Sequence, residues 1–275
     1  MKRAQKLFTL ADYPEREAEI PRLHSESWPA FIQADPVAIR YWGLLFSTFA
    51  EYQYLLCDEQ DRLVAVGHSI PLTWNGSSDD LPQGWDAALS QGFHDRDQGV
   101  TVNTLCALSI VIAPGNQGQG LGELMVKAMK DIALINGLDQ IIAPVRPSLK
   151  SLYPLIPLER YLRWQRPDGT PFDPWIRLHQ QLGARTLTLA SPSMTVTGTV
   201  AQWEHWTGLR FPESGRYPIA GALEPVMIDC EQDYGRYEES NVWMSYEGLL
   251  RDASGCAGAD QEARGAQPPS RLSAS

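Results

Sequence analysis

Residues 105–125 run L-C-A-L-S-I-V-I-A-P-G-N-Q-G-Q-G-L-G-E-L-M, and the order of residue types in this stretch decides the fold class. Leu105 to Ile112 is apolar on both faces apart from Ser109, the pattern of a strand buried on both sides. Ala113-Pro114-Gly115 stops it. Leu121, Leu124, Met125, Ala128, Met129, Ile132 and Ile135 then recur at helical spacing and predict a helix with those side chains inward. Asn136-Gly137 ends that helix as a C-cap. Gln140 to Val145 returns to a strand. Strand, glycine-rich turn, helix and strand in that order predict a mixed α/β domain.

The turn itself carries chemistry. Glycine lets the backbone take positive φ and approach a ligand closely. The helix that follows points its unpaired N–H groups and positive dipole end back at the turn. Together these make an anion site suited to a pyrophosphate. The P-loop pattern is absent, because no Gly-Lys-Ser/Thr occurs. The dinucleotide pattern G-x-G-x-x-G is absent too, because the glycines fall at 118, 120 and 122. The spacing is instead (Q/R)-x-x-G-x-(G/A), filled by Gln117, Gly120 and Gly122. On the turn alone, a surface turn that binds nothing explains these glycines equally well.

Working outward, Tyr52 to Cys57 and Leu63 to Ile70 flank the polar turn Asp58 to Arg62 and predict a hairpin. Glu15 to Ser27 predicts a helix with Ile20, Leu23 and Trp28 inward. Pro36 to Phe49 predicts a second, with Asp35 as N-cap, and Trp85 to Phe93 a short third. Downstream, Asp173 to Leu182 predicts a helix, and Arg185 to Leu189 and Pro225 to Ile228 predict strands. Gln202 to Leu209 fits helix or loop. Residues 1–251 are expected to form one domain, and 252–275, small and polar, a disordered tail.

The 275 residues are 43% hydrophobic and 20% charged, a globular composition. The 23 Lys and Arg against 33 Asp and Glu give a net charge of −10, which argues against a nucleic-acid partner. Cys57, Cys106, Cys230 and Cys256 have neither disulfide-scaffold nor zinc spacing, and no metal-ligand set is visible. With no long apolar run, the expectation is a cytoplasmic protein without signal peptide or membrane partner. The sequence leaves the oligomeric state open.

The run from Leu108 to Met125 resembles the GNAT superfamily of acyl-CoA N-acyltransferases: its central strand, its Pro, its pyrophosphate loop and the following helix. The hairpin at Leu63 to Leu72, the Gln140 strand and Leu182-Gly183 stand in the family's order, so the resemblance covers about residues 40 to 190. It implies a GNAT fold, a central mixed sheet flanked by helices, with an elaborated C-terminal half. It implies acetyl-CoA or another acyl-CoA as co-substrate and a small-molecule amine as acceptor. The backbone N–H groups of Gln117, Gly118, Gln119, Gly120, Leu121 and Gly122 are then expected to hold the CoA pyrophosphate. The main chain of Ile110, Val111 and Ile112 is expected to pair with pantetheine. Backbone donors in the gap beside this strand are expected to polarise the thioester. Two alternatives from the same resemblance are a transferase that takes its acyl group from an acyl-carrier protein, and an inactive sensor that binds acyl-CoA.

Several positions depart from the family. Gln117 stands where Arg is commoner, and Ala184 where an aromatic residue is usual. An insertion near residues 147–178 replaces one short helix, and is expected to serve the acceptor site or its lid. The family's leaving-group acid is commonly a Tyr after the fifth strand. Tyr153 fits by spacing. His179 fits by its Leu-Gly context, and a histidine acid is expected to titrate near neutrality. No general base is evident. Glu204 and His205, between Trp203 and Trp206, are expected to sit at a local aromatic core, Glu238 and Glu239 to be solvated, and Cys106 to be core.

Overall fold

The computed structural model of the chain describes residues 6–249. The expected tail at 252–275 lies outside the described residues. Along the chain come β1 (Lys6–Thr9), α1 (Ile20–Ser27), α2 (Pro36–Thr48), β2 (Gln53–Cys57), β3 (Leu63–Leu72), α3 (Trp85–Asp97), β4 (Thr104–Ile112), α4 (Leu121–Ile135) and β5 (Gln140–Val145). The second half holds the single turn α5 (Leu158–Tyr161), then α6 (Pro174–Gln181), β6 (Arg185–Gly198), α7 (Val200–Thr207), β7 (Gly215–Tyr217), β8 (Val226–Asp229) and β9 (Tyr234–Tyr246). The strands form one nine-stranded sheet in the order β1-β2-β3-β4-β5-β9-β8-β7, with β6 also paired to β9. Among the described residues only the β4–β5 pair is parallel.

Period-2 alternation sends neighbouring side chains to opposite faces of this sheet. Leu55, Val66 and Val111 meet Ile20 and Leu23 of α1 in a small cluster. Leu56, Val64, Cys106 and Leu108 join Met125 and Met129 of α4 in the main core. Asp35 caps α2 as expected, its Oδ1 accepting from the N–H of Val37 and Ala38, each at 2.8 Å. Ile135 departs from expectation: it is 82% exposed, because the chain turns off the sheet at the helix end.

The C-terminal half departs further. The sequence predicts a strand only from Arg185 to Leu189. The structure carries β6 to Gly198 by shifting register between Ala190 and Met194. β9 was not expected at all, yet it lies inside the sheet between β5 and β8. Trp203 is fully buried and Glu204 pairs with Arg210, the local aromatic core with an outward charge that was expected.

Candidate active site

β4 pairs with β3 along its whole length, from Thr104 opposite Leu72 to Ile112 opposite Ala65. It pairs with β5 only at Thr104, Leu105 and Cys106. Beyond Cys106 the two strands diverge, because β5 stays bound to β9 through Ile141 to Val145. The β4 edge from Ala107 to Ile112 is therefore left without a strand partner on that side. A register shift opposite His68 and Ser69 leaves Leu108 unmatched as a bulge. Its carbonyl is taken by Trp85 Nε1 at 2.9 Å.

A cavity of about 660 Å³ fills this V-shaped opening. One wall is β4 from Ala107 to Ile112, with Gln117 at its end; the other is Ala143, Pro144, Val145 and Arg146. An extended ligand lying here could pair with the open backbone edge, as an added strand does. The loop at 117–122, expected to hold the pyrophosphate, follows directly. Gly118 and Gly120 sit at φ +73° and +81°, and a Cβ built on either meets no protein atom within 4 Å. No backbone N–H of Gly118, Gln119 or Gly120 bonds to another described residue. Gly122 has a different role: a Cβ there would stand 3.0 Å from the Trp175 ring and 3.2 Å from Leu178, so this glycine lets α4 pack against α6.

The two candidate acids end in different places. His179 lines the cavity, as does Trp175 one turn earlier. Asp173 fixes their helix by accepting from the N–H groups of Trp175 and Ile176, and it also binds Leu149 N–H and Tyr161 OH. His179 is 2% exposed, and its Nδ1 lies 2.8 Å from Tyr246 OH on β9. Burial, with the nearby Lys130 charge adding to it, lowers His179 to about 4, so it is neutral at pH 7 rather than titrating near neutrality. Tyr153 is not among the cavity-lining residues. It packs among Tyr161, Trp164 and Phe172 in the 147–178 segment. From that segment only Ser148 and Trp175 reach the cavity, while Pro154 to Glu159 border a separate cleft of about 410 Å³.

The remaining cavity wall is made of residues far apart in sequence. Trp28, Trp42 and Trp85 form an aromatic side, with centroids 5.5 Å apart for the first pair and 5.7 Å for the second. Arg146 holds Glu239 through Nε at 2.9 and 3.0 Å and gives Nη2 to Gly221 O. Tyr237 OH and Asn241 Nδ2 donate to the same carboxylate. Glu239 is thus fully buried, which corrects the expectation that it is solvated; Glu238 does point outward, paired with Arg236. The reason is a fixed cation 93 residues away that no local pattern reveals. Cys106 is buried as expected, and burial raises its thiol pKa.

No protein-family model matches the chain. An arginine N-acetyltransferase of Aspergillus versicolor, avaD, is 33% identical over 248 residues, spanning 80% of this chain and 85% of that protein. The chain belongs to the GNAT superfamily. It is an acyl-CoA-dependent N-acyltransferase. Two solved structures share the fold: the loading GNAT-like domain of CurA from Lyngbya majuscula and the GNAT-like decarboxylase GphF in complex with isobutyryl-CoA. They are 18% and 15% identical, with TM-scores of 0.56 and 0.54, each covering 90% of this chain and 99% of the other.

The acyltransferase has further cavity residues that sequence reasoning missed. His24 was passed over as one polar residue inside an amphipathic helix, although it lines the cavity and bonds His68. Trp42 and Trp85 gave no local signal, since an aromatic residue at helical spacing ordinarily indicates core. Among the described residues no group of three or more His, Cys, Asp or Glu side chains is placed to hold a metal. No described helix is long and apolar enough to cross a membrane.

Proposed function

We propose that this acyltransferase moves an acetyl group from acetyl-CoA to an amino nitrogen of arginine or a closely related cationic amino acid. The observation that carries the reading is the single cavity that joins the open β4 edge to a wall of tryptophans and one arginine. Acetyl-CoA would lie with its pyrophosphate on residues 117–122 and its pantetheine along Ile110 to Ile112. The thioester then sits where β4 and β5 part, within reach of unpaired β4 N–H groups that can polarise its carbonyl. Faces of Trp28, Trp42 and Trp85 suit a guanidinium, which is attracted to aromatic rings. Arg146, with 38% of its side chain exposed, offers a guanidinium edge to an α-carboxylate. The arginine-acetylating relative supports the same acceptor.

With Tyr246 OH donating to Nδ1, neutral His179 would carry its proton on Nε2 and offer that N–H as a hydrogen bond to the departing sulfur. The free thiols of Cys57 and Cys106 suit a reducing compartment, and the proposal sets the reaction in the cytoplasm. Thiol release from acetyl-CoA, followed with arginine and with agmatine, tests the reading. Arginine should be acetylated, and agmatine, which lacks the carboxylate, should lose most of the rate. Release with other amines but none with arginine sinks the assignment.

A further inference from the structure

Gln53 on β2 is fully buried, and its Nε2 donates to the carbonyls of Phe49 at 2.8 Å and Ser69 at 2.9 Å. Carbonyls only accept, so the amide orientation is forced and Oε1 faces the other way. There it meets His68 Nδ1 at 3.0 Å. Oε1 cannot donate, so His68 must carry its proton on Nδ1. Burial, together with the nearness of His24, keeps His68 far below its ordinary pKa and therefore neutral. A neutral imidazole has one N–H, so His68 Nε2 is a bare acceptor. His24 Nε2 lies 3.0 Å from it and must hold the shared proton. Burial lowers His24 to about 4, so it too is neutral. Its Nδ1 is then a bare lone pair on a ring that lines the cavity, and no hydrogen bond to a described residue uses that atom.

We infer that His24 is the general base of the acyl transfer, with His68 and Gln53 as positioning residues that fix its tautomer. The inference rests on the acetyl-transfer reading above. When the acceptor nitrogen bonds to the thioester carbon it gains positive charge, and its N–H becomes acidic enough to give a proton even to a weak base. That proton passes to His24 Nδ1. The carbon–sulfur bond then breaks with its electron pair on sulfur. His24 passes the proton it took to water at the cavity mouth, and that water protonates the thiolate, so amine and thioester become amide and thiol with no proton left over. The imidazolium formed in between lies flat on Trp28, with ring centroids 4.7 Å apart and planes at 1°, a cation–π arrangement. From α2, Trp42 and Phe46 pack on the pair without charge. Among titratable groups only His24 acts on His68, and burial alone lowers His24.

Two measurements test this. Long-range proton–nitrogen NMR on the full chain reads the tautomers without any acceptor. His24 should appear as the Nε2–H form and His68 as the Nδ1–H form; the reverse assignment removes the base and overturns the inference. Kinetics use His24→Ala with acetyl-CoA and whichever amine the wild-type enzyme turns over best. The kcat should fall about 10²- to 10³-fold, within the range for a lost general base, with acetyl-CoA affinity unchanged. Added imidazole should restore much of it, while pyrazole, equal in shape and far less basic, should not. Equal rescue by both, or no loss of kcat, means that His24 only fills space. If arginine fails as acceptor, the test runs on another amine. If no amine is acylated, the transfer reading fails and this inference falls with it, whatever the tautomers. If His24→Ala does not fold while the wild type acylates an amine, the tautomers decide.

Discussion

The side of the cavity proposed for acetyl-CoA offers backbone, and the side proposed for the acceptor offers side chains. On the first, the open edge of β4 and the loop at 117–122 come from one continuous stretch, and the groups offered to the ligand are N–H groups. On the second, α1, α2, α3, β5, β9 and the residues just after α1 and β5 send side chains to a common wall, and its polar members His24, Arg146 and Glu239 are paired across the fold. A backbone site is encoded by spacing and conformation, so it survives many side-chain changes. A side-chain site is encoded by contacts across the fold, so single substitutions should remove chemistry or stability outright.

The largest expected effect sits where the two sides meet. His179→Ala should lower kcat about 10²- to 10⁴-fold with little change in acetyl-CoA KM, the signature of an interaction made in the transition state. Tyr153→Phe should leave kcat within about threefold, because Tyr153 packs outside the cavity. With its pKa near 4, His179 is neutral throughout the physiological range, so the wild-type profile should show no falling limb from it between pH 6 and 8. A large loss in Tyr153→Phe with none in His179→Ala would reverse the assignment.

The same contrast explains what could be read from the sequence. The loop was legible because its glycines, its strand and its helix lie within some twenty residues and each obeys a local rule. The strands flanking it, and the cap at Asp35, were legible for the same reason. β9 was not. Its Glu238-Glu239 pair looks like a solvated edge until Arg146, Tyr237 and Asn241 are seen around Glu239. His24 and His68 stand 44 residues apart, and neither has a neighbour in sequence that betrays the other. Tyr153 kept the expected distance from β5, but the chain after Arg146 turns it into an aromatic cluster.

A smaller effect probes the backbone side. Acetyl-CoA at a hundred times its Kd should stabilise the protein by about 2.7 kcal/mol through mass action. Gly120→Val should abolish that shift, since its side chain would stand over the loop where no protein atom lies within 4 Å. Left-handed φ alone carries a strain of roughly 1–2 kcal/mol for a residue with a Cβ. Gly99→Ala therefore serves as the control: it has φ +64°, equally open space and a place outside the loop. It should lose stability without losing the acetyl-CoA shift. A full shift in folded Gly120→Val would break the claim that this side is held by backbone.

The smallest effect concerns the frame of the acceptor wall. Asp86, in the first turn of α3, accepts Thr195 N–H of β6 through Oδ2 at 3.0 Å, and its carboxyl faces that of Asp35. The other oxygens, Asp35 Oδ2 and Asp86 Oδ1, are buried and find no donor unless one carboxyl keeps its proton. Burial and the charge of Asp35 push Asp86 up to about 8, and burial raises Asp35 as well. An unfolded aspartate titrates near pH 3.9. Between about pH 4 and 8 the folded state therefore binds more protons than the unfolded one. Its stability contribution is fully present below that window and is lost as pH rises through it. Asn at position 86 can accept from Thr195 and donate to Asp35 without any proton to lose. From pH 5 to pH 9 the wild-type Tm should fall by several degrees more than that of Asp86→Asn, where about 1 kcal/mol corresponds to roughly 2–4 °C. The variant should match the wild type at pH 5 and exceed it at pH 9. Parallel curves would show that the pair shares no proton and that this wall, like the loop opposite, is indifferent to titration.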